Sequence, residues 1–224
     1  FKQKTAYEIS LGLVGSEMCI RDRVLLVVHT VYESRVFCKF VEKLREESSV
    51  YGAYSISFED AFTLYTVAYM TALRFNGERV VLVDAGAGIG FSTIWIAKAL
   101  VDSGVLGEVI AIERDWRRGR RLKEVLNSLG VRYRVEIDDA LNVAKNIPRI
   151  HLVFIDIDKE QYYDFYKLIE ERVVIGGAIV VHNVFMYHSS IRSLVEALSK
   201  YPWKSTIVPT RMPGGGMLIS IKTQ

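Results

Sequence analysis

The sequence predicts an α/β fold, a doubly wound and mostly parallel sheet, from three observations. Short β-branched runs that end in a polar or acidic residue alternate with segments of helical period through the second and third quarters of the chain. One such unit, Arg79 to Leu100, turns from strand to helix on three glycines, Gly86, Gly88 and Gly90. The last two apolar runs have no helix between them, so they pair as a hairpin and make one edge antiparallel.

At 224 residues, with 50% hydrophobic and 25% charged side chains, the chain is long enough to bury a sizeable core. It should fold alone or as a small oligomer, a homodimer being the expected state. The apolar run Val24 to Val28 is far too short to span a bilayer and no later one is longer by enough, so no membrane association is expected. Two cysteines, Cys19 and Cys38, make no disulfide framework, which fits a reducing cytoplasm. A net charge of +3 is too mild to argue for nucleic acid by itself.

Lys2 to Arg23 has neither helical period nor the plan of a signal peptide, and it resembles translated sequencing-adaptor read-through. Residues 1–23 are therefore expected to be a non-native or disordered extension. A single domain over 24–224 would follow, with N-terminal helices across 24–75. Val24 to Glu47 has a broken helical pattern; Phe58 to Phe75 has a stronger one, with Ser57 as N-cap and Glu59 and Asp60 in the first turn.

Then the alternation begins. Val80 to Val83 reads as a strand buried on both faces and Phe91 to Leu100 as its helix. Strands follow at Val109 to Ile112, Tyr133 to Ile137, Leu152 to Ile155 and Ala178 to Val181. Helical patterns fall at Arg117 to Leu129, Ala140 to Asn146, Gln161 to Glu171 and Ser190 to Lys200. Lys204 to Val208 and Met217 to Ile221 form the closing hairpin. Ligands of open α/β sheets bind outside the carboxyl ends of the strands, so Asp84, Glu113, Asp139, Asp156, His182 and Asn183 should converge on one rim.

The glycine spacing narrows the ligand. A dinucleotide fingerprint, G-x-G-x-x-G, has its third glycine where this chain has Phe91; G-x-G-x-G two residues after Asp84 is instead the pattern of class I S-adenosylmethionine-dependent methyltransferases. Val153-Phe-Ile-Asp-Ile-Asp-Lys-Glu-Gln-Tyr-Tyr163 and Val174-Ile-Gly-Gly-Ala-Ile-Val-Val-His-Asn-Val184 sharpen this. With the glycine loop they make the chain similar, from about Ser57 to Lys222, to the cation-dependent O-methyltransferases of small molecules, the catechol and caffeoyl-CoA type and its prokaryotic relatives. That resemblance implies a Rossmann-like seven-stranded sheet in the order 3-2-1-4-5-7-6, with the last strand antiparallel.

It also implies roles. Asp84, Gly86, Gly88 and Gly90 would frame the methionine end of S-adenosylmethionine, with Ser92 and Asp156 also among the cofactor-binding residues. Glu113 would accept both ribose hydroxyls, and Asp139 with Ala140 would meet the adenine. Asp156 would stand between cofactor and chemistry, with Lys159 as general base. A divalent cation would sit on Asp156, His182 and Asn183. The family has aspartate where this chain has His182, and imidazole favours manganese or another transition metal over magnesium. The expected reaction is methyl transfer to a hydroxyl oxygen of a small phenolic or catechol-like acceptor. Met186, Tyr187, Trp203 and Met212 fall near the expected pocket mouth. Two other readings stand beside it. The basic run Arg114 to Lys123, with Trp116 inside it, could grip the phosphates of an RNA such as tRNA to be methylated. Alternatively the chain could bind the cofactor without catalysis.

Overall fold

The computed structural model describes residues 35–127, 131–210 and 215–224. The expectations for residues 1–23, for the helix before residue 35 and for Met212 lie outside them. Two compact units divide the chain, Phe1–Leu44 and Arg45–Gln224. The described part of the first, residues 35–44, is helical, and so are residues 45–50 of the second. No helix among the described residues is long and apolar enough to cross a membrane.

The second unit holds a seven-stranded sheet, β1 (Val80–Ala85), β2 (Gly107–Ile112), β3 (Tyr133–Glu136), β4 (Ile150–Ile155), β5 (Val173–His182), β6 (Trp203–Val208) and β7 (Met217–Lys222). Their order is β3-β2-β1-β4-β5-β7-β6. The first five run parallel and β7 runs antiparallel to both β5 and β6, as the sequence predicts. The helices of this unit after residue 50 are α1 (Phe58–Arg74), α2 (Phe91–Ser103), α3 (Trp116–Leu126), α4 (Ala140–Ala144), α5 (Tyr162–Ile169) and α6 (Ser189–Leu198). They cover both faces. Val83, Ile110, Val153 and Ile179 pack with α4, α5 and α6 on one side, while Ala111, Leu122 and Leu126 meet on the other, where α1, α2 and α3 lie. With apolar residues on both faces, β1 and β4 read as continuous runs rather than alternating ones.

Local chemistry sets the element boundaries. Ser57 caps α1, its hydroxyl accepting from Asp60 N at 3.0 Å, and Asp115 caps α3 by accepting from Arg117 N and Arg118 N. The largest departure from the expected strands is β5, which begins at Val173 rather than Ala178. Gly176 and Gly177, just before the expected start, lie inside it where the pairing with β4 shifts register between Ile150 and Leu152. Gly176 has φ +83°, and a Cβ there would stand 2.4 Å from the Arg74 guanidinium.

Gly86 fixes how the end of β1 meets the end of β4. Its φ is +96°, and a Cβ added to it would lie 2.2 Å from the backbone oxygen of Asp156. Only glycine lets the two strand ends approach this closely. Gly86→Ala is therefore expected to destabilise the chain by about 2–4 kcal/mol in urea denaturation, combining an unfavourable φ with a backbone clash. Gly104→Ala shares the positive φ (+66°) but meets nothing within 4 Å, so it should cost only about 1–2 kcal/mol. Equal losses in the two variants would contradict the close approach.

Candidate active site

Parallel strands deliver their carboxyl ends, and the turns after them, to one rim. A cavity of about 470 Å³ opens there, walled by Gly86, Gly88, Glu113, Asp139, Asp156 and Lys159 among others. The structure thus brings together most of the site residues that the sequence singles out. Two stand back from the wall. Asp84 is wholly buried, with Oδ2 accepting from the hydroxyls of Ser92 at 2.7 Å and Thr93 at 2.5 Å, and burial pushes its carboxyl up to about 6. Gly90 is the N-cap of α2 at φ +107°, and a Cβ there would strike Leu122 at 2.8 Å. Both therefore shape the loop from behind: Asp84 ties α2 to the loop, and Gly90 lets α3 pack against it.

At the end of β2, Glu113 is 6% exposed, yet it faces the cavity. Oε2 accepts from Gly88 N at 2.9 Å and Oε1 from Asp115 N at 2.8 Å. Burial raises its carboxyl above the usual range, while those amides and the Arg118 guanidinium, 3.9 Å away, pull it back. The carboxylate is so oriented that each oxygen keeps a further lone pair. After the neighbouring strand β3, Asp139 caps α4, accepting from Leu141 N at 2.8 Å, and takes a bond from Gln161 Nε2 at 3.0 Å. Ala140 and Ser92 are also on the wall.

The far end holds a cluster of ionisable groups around Asp156. Lys159 Nζ donates to Asp156 Oδ1 at 2.6 Å, and it lies 2.7 Å from Tyr162 Oη and 3.3 Å from the Ile157 carbonyl. Asn183, in the left-handed region at φ 59°, points Nδ2 to the same Oδ1 at 3.3 Å. His182 Nδ1 is 3.2 Å from Asp156 Oδ2. Its Nε2 lies 3.4 Å from Asp60 Oδ2, within ion-pair reach though outside hydrogen-bond alignment. Burial works against every charge here: it pulls the histidine down and the acids up. Mutual attraction outweighs it, raising His182 to about 9, lowering Asp156 to about 2 and lowering Asp60.

Asp60 is what sequence reasoning missed. It is 1% exposed on α1, and its spacing from Ser57 matches a helix cap, a role it also plays. Tyr162 and the segment Gly52 to Ile56, which lines the cavity, were equally silent. Trp203, expected at the mouth, is instead core: it is 5% exposed and its indole donates to Tyr166 Oη at 3.1 Å. Of the other mouth residues, Met186 lines the cavity and Tyr187 projects into solvent.

The basic run is spent locally. Arg114 pairs with Asp158, Arg117 with Asp115, and Arg121 with Glu47 at 2.6 Å; Arg118 donates to the carbonyls of Tyr51 and Gly52.

Residues 83–184 match the family described as Methyltransferase domain. A flavonoid 3',5'-methyltransferase of Vitis vinifera is 23% identical over 128 residues, so that the chain spans about half, 53%, of that curated relative and aligns over 53% of itself. Two solved structures superpose on it. The O-methyltransferase TomG of Streptomyces achromogenes, in complex with S-adenosylmethionine, has a TM-score of 0.70 at 18% identity, covering 82% of this chain and 89% of that one. An O-methyltransferase of Bacillus cereus, in complex with S-adenosylhomocysteine, gives 0.69 at 18%, covering 82% and 90%. The sheet order makes this an α/β chain, and its residues 83–184 are similar to that methyltransferase-domain family. Its fold is the Rossmann-like one that these O-methyltransferases share.

Because His182 is raised from 6.5 to about 9, its contribution to stability is complete below pH 6.5 and is lost as pH rises through 9. At about 1.4 kcal/mol per pH unit, wild type should lose up to about 3 kcal/mol over that window. His182→Asn should lose much less. Parallel urea curves for the two proteins at pH 6, 8 and 10 check this, and an unchanging difference between them would contradict the raised histidine.

Proposed function

We propose that the chain is an S-adenosylmethionine-dependent O-methyltransferase acting on a hydroxyl of a small phenolic or catechol-like acceptor. The observation that carries the reading is Glu113, a carboxylate fixed by two backbone amides at the end of β2, beside a glycine turn and facing a cavity that Lys159 also lines. The residues fit the cofactor. Glu113 has lone pairs for the two hydroxyls of a ribose, Asp139 and Ala140 lie where adenine would follow, and Gly86 and Gly88 leave room at the methionine end. When bound, S-adenosylmethionine supplies a methyl group on an electrophilic sulfonium.

The chain's own residues do the rest. Lys159, held by Asp156 and Tyr162, is placed to meet the acceptor hydroxyl: its ammonium first releases a proton to solvent, and the free amine then receives the hydroxyl's proton, while Met186 gives the acceptor an apolar contact. Methyl transfer asks for in-line placement more than for further chemistry. A divalent cation, the expected companion, does not fit the donor set. Lys159 already occupies Asp156 Oδ1, both His182 nitrogens face carboxylates, and Asn183 turns its amide nitrogen inward. Among the described residues no group of three His, Cys, Asp or Glu side chains is arranged for a metal ion. RNA is not favoured, since Arg114, Arg117, Arg118 and Arg121 of the basic run have local partners.

Glu113→Ala should weaken S-adenosylhomocysteine at least about tenfold in calorimetry, because a diol left unpaired in a closed site costs about 1–3 kcal/mol. Unaltered affinity would remove Glu113 from the ribose. Lys159→Met should keep that affinity within about twofold yet slow transfer of labelled methyl to a phenol panel by about 10²–10⁴. A variant as fast as wild type would exclude Lys159 as base, and a wild type that binds cofactor but transfers nothing would leave a binding protein.

A further inference from the structure

We infer that His182, clamped with one ring nitrogen toward Asp156 and the other toward Asp60, takes the place of a divalent cation in this chain, and that Asp60 is its positioning residue. The inference rests on the proposed methyltransferase reading only for what the cluster serves; the arrangement itself is independent of it.

The geometry leaves the ring little choice. Nδ1 is 3.2 Å from one carboxylate and Nε2 is 3.4 Å from another, and the side chain is only 7% exposed. A neutral imidazole has one N–H and one bare lone pair, and a lone pair turned on a buried carboxylate is repelled. Each nitrogen faces a carboxylate, so neither is turned to a place where a cation could take its lone pair. The elements packed around the ring supply its counter-charges from two directions, Asp60 from α1 and Asp156 from the end of β4, with Lys159 and Tyr162 beyond Asp156. Phe154 closes the remaining side, its ring centroid 6.2 Å away.

Charge balance gives the same answer. Asp60 and Asp156 are offset by His182 and Lys159, so the cluster as it stands is neutral. A divalent ion would add two uncompensated positive charges to a site where Asp60 is 1% exposed. Were position 182 an aspartate, three carboxylates and one ammonium would leave two negative charges, which is what a divalent ion neutralises. The one histidine therefore changes both a ligand and the charge that makes a metal worth binding. The positive charge beside Lys159 is built into the chain and does not depend on supply.

The test is a Mn²⁺ titration of the full chain followed by electron paramagnetic resonance of the free ion. Wild type should take up no stoichiometric Mn²⁺, and His182→Asp should bind one ion at least about thirtyfold more tightly, since ligand charge sets affinity for hard cations. One tight site in wild type that Asp156→Asn abolishes would overturn the inference. Should His182→Asp fail to fold, the ¹⁵N side-chain spectrum decides instead: in wild type at pH 8 both His182 ring nitrogens should carry protons, and a singly protonated ring would refute the clamp. Asp60→Asn should diminish the doubly protonated signal, and an unchanged signal would deny Asp60 its positioning role. Cofactor calorimetry on the same samples reads the methyltransferase proposal separately, so either idea can fail without the other.

Discussion

A carboxylate largely buried at the end of a central strand must be neutralised, and in this chain that requirement falls on Asp156. Lys159 comes to it from the following turn, His182 and Asn183 from the end of the neighbouring strand, and Tyr162 from the start of α5. His182 in turn draws Asp60 down from α1. The same residue sets a backbone constraint, because its carbonyl is the atom that forbids any side chain at Gly86. One position thus ties together the glycine turn, the neutral charge cluster and the helix across the cavity. Losing the contact with His182 or with Lys159 would leave a largely buried carboxylate short of a counter-charge, which costs more than a surface ion pair is worth.

That knot also separates the cavity into two ends of different character. Around Glu113 the wall is backbone amide and small residue, suited to hydroxyls and a close-fitting ligand. Around Asp156 it is a balanced set of charges with Lys159 at the surface. A reaction that needs a positioned electrophile at one end and an activated hydroxyl at the other suits such a division. On the inference drawn above, one imidazole and the acid behind it stand where the resemblance to cation-dependent enzymes would put a metal.

Much of the fold was legible because its signals are local. β-branched runs ending in acids mark parallel strands, the glycine spacing marks a turn, and the helix-free tail marks an antiparallel edge, and each is written within a few residues. The misreadings are instructive in the same terms. The strand expected from Ala178 in fact begins at Val173 and carries Gly176 and Gly177 through a register shift, because the close approach of Arg74 and His151 is invisible until the sheet is assembled. Trp203 looks like a loop residue, yet it anchors β6 through Tyr166. The site was legible wherever strand ends deliver it. Asp60 was not, because a helix cap and a counter-charge are the same residue type at the same spacing, and only the fold shows that its carboxylate faces His182 from a distant segment.

The central claim is that one cavity joins a cofactor subsite at Glu113 to a metal-free reaction centre at Lys159. A crystal structure of the full chain grown with S-adenosylhomocysteine, and soaked with Mn²⁺ whose position anomalous scattering would reveal, tests it most directly. The account predicts both ribose hydroxyls on Glu113, the sulfur turned toward Lys159, and no anomalous peak between Asp156 and His182. A nucleoside bound away from Glu113, or a manganese ion on Asp156 with the His182 ring swung off Asp60, would contradict it.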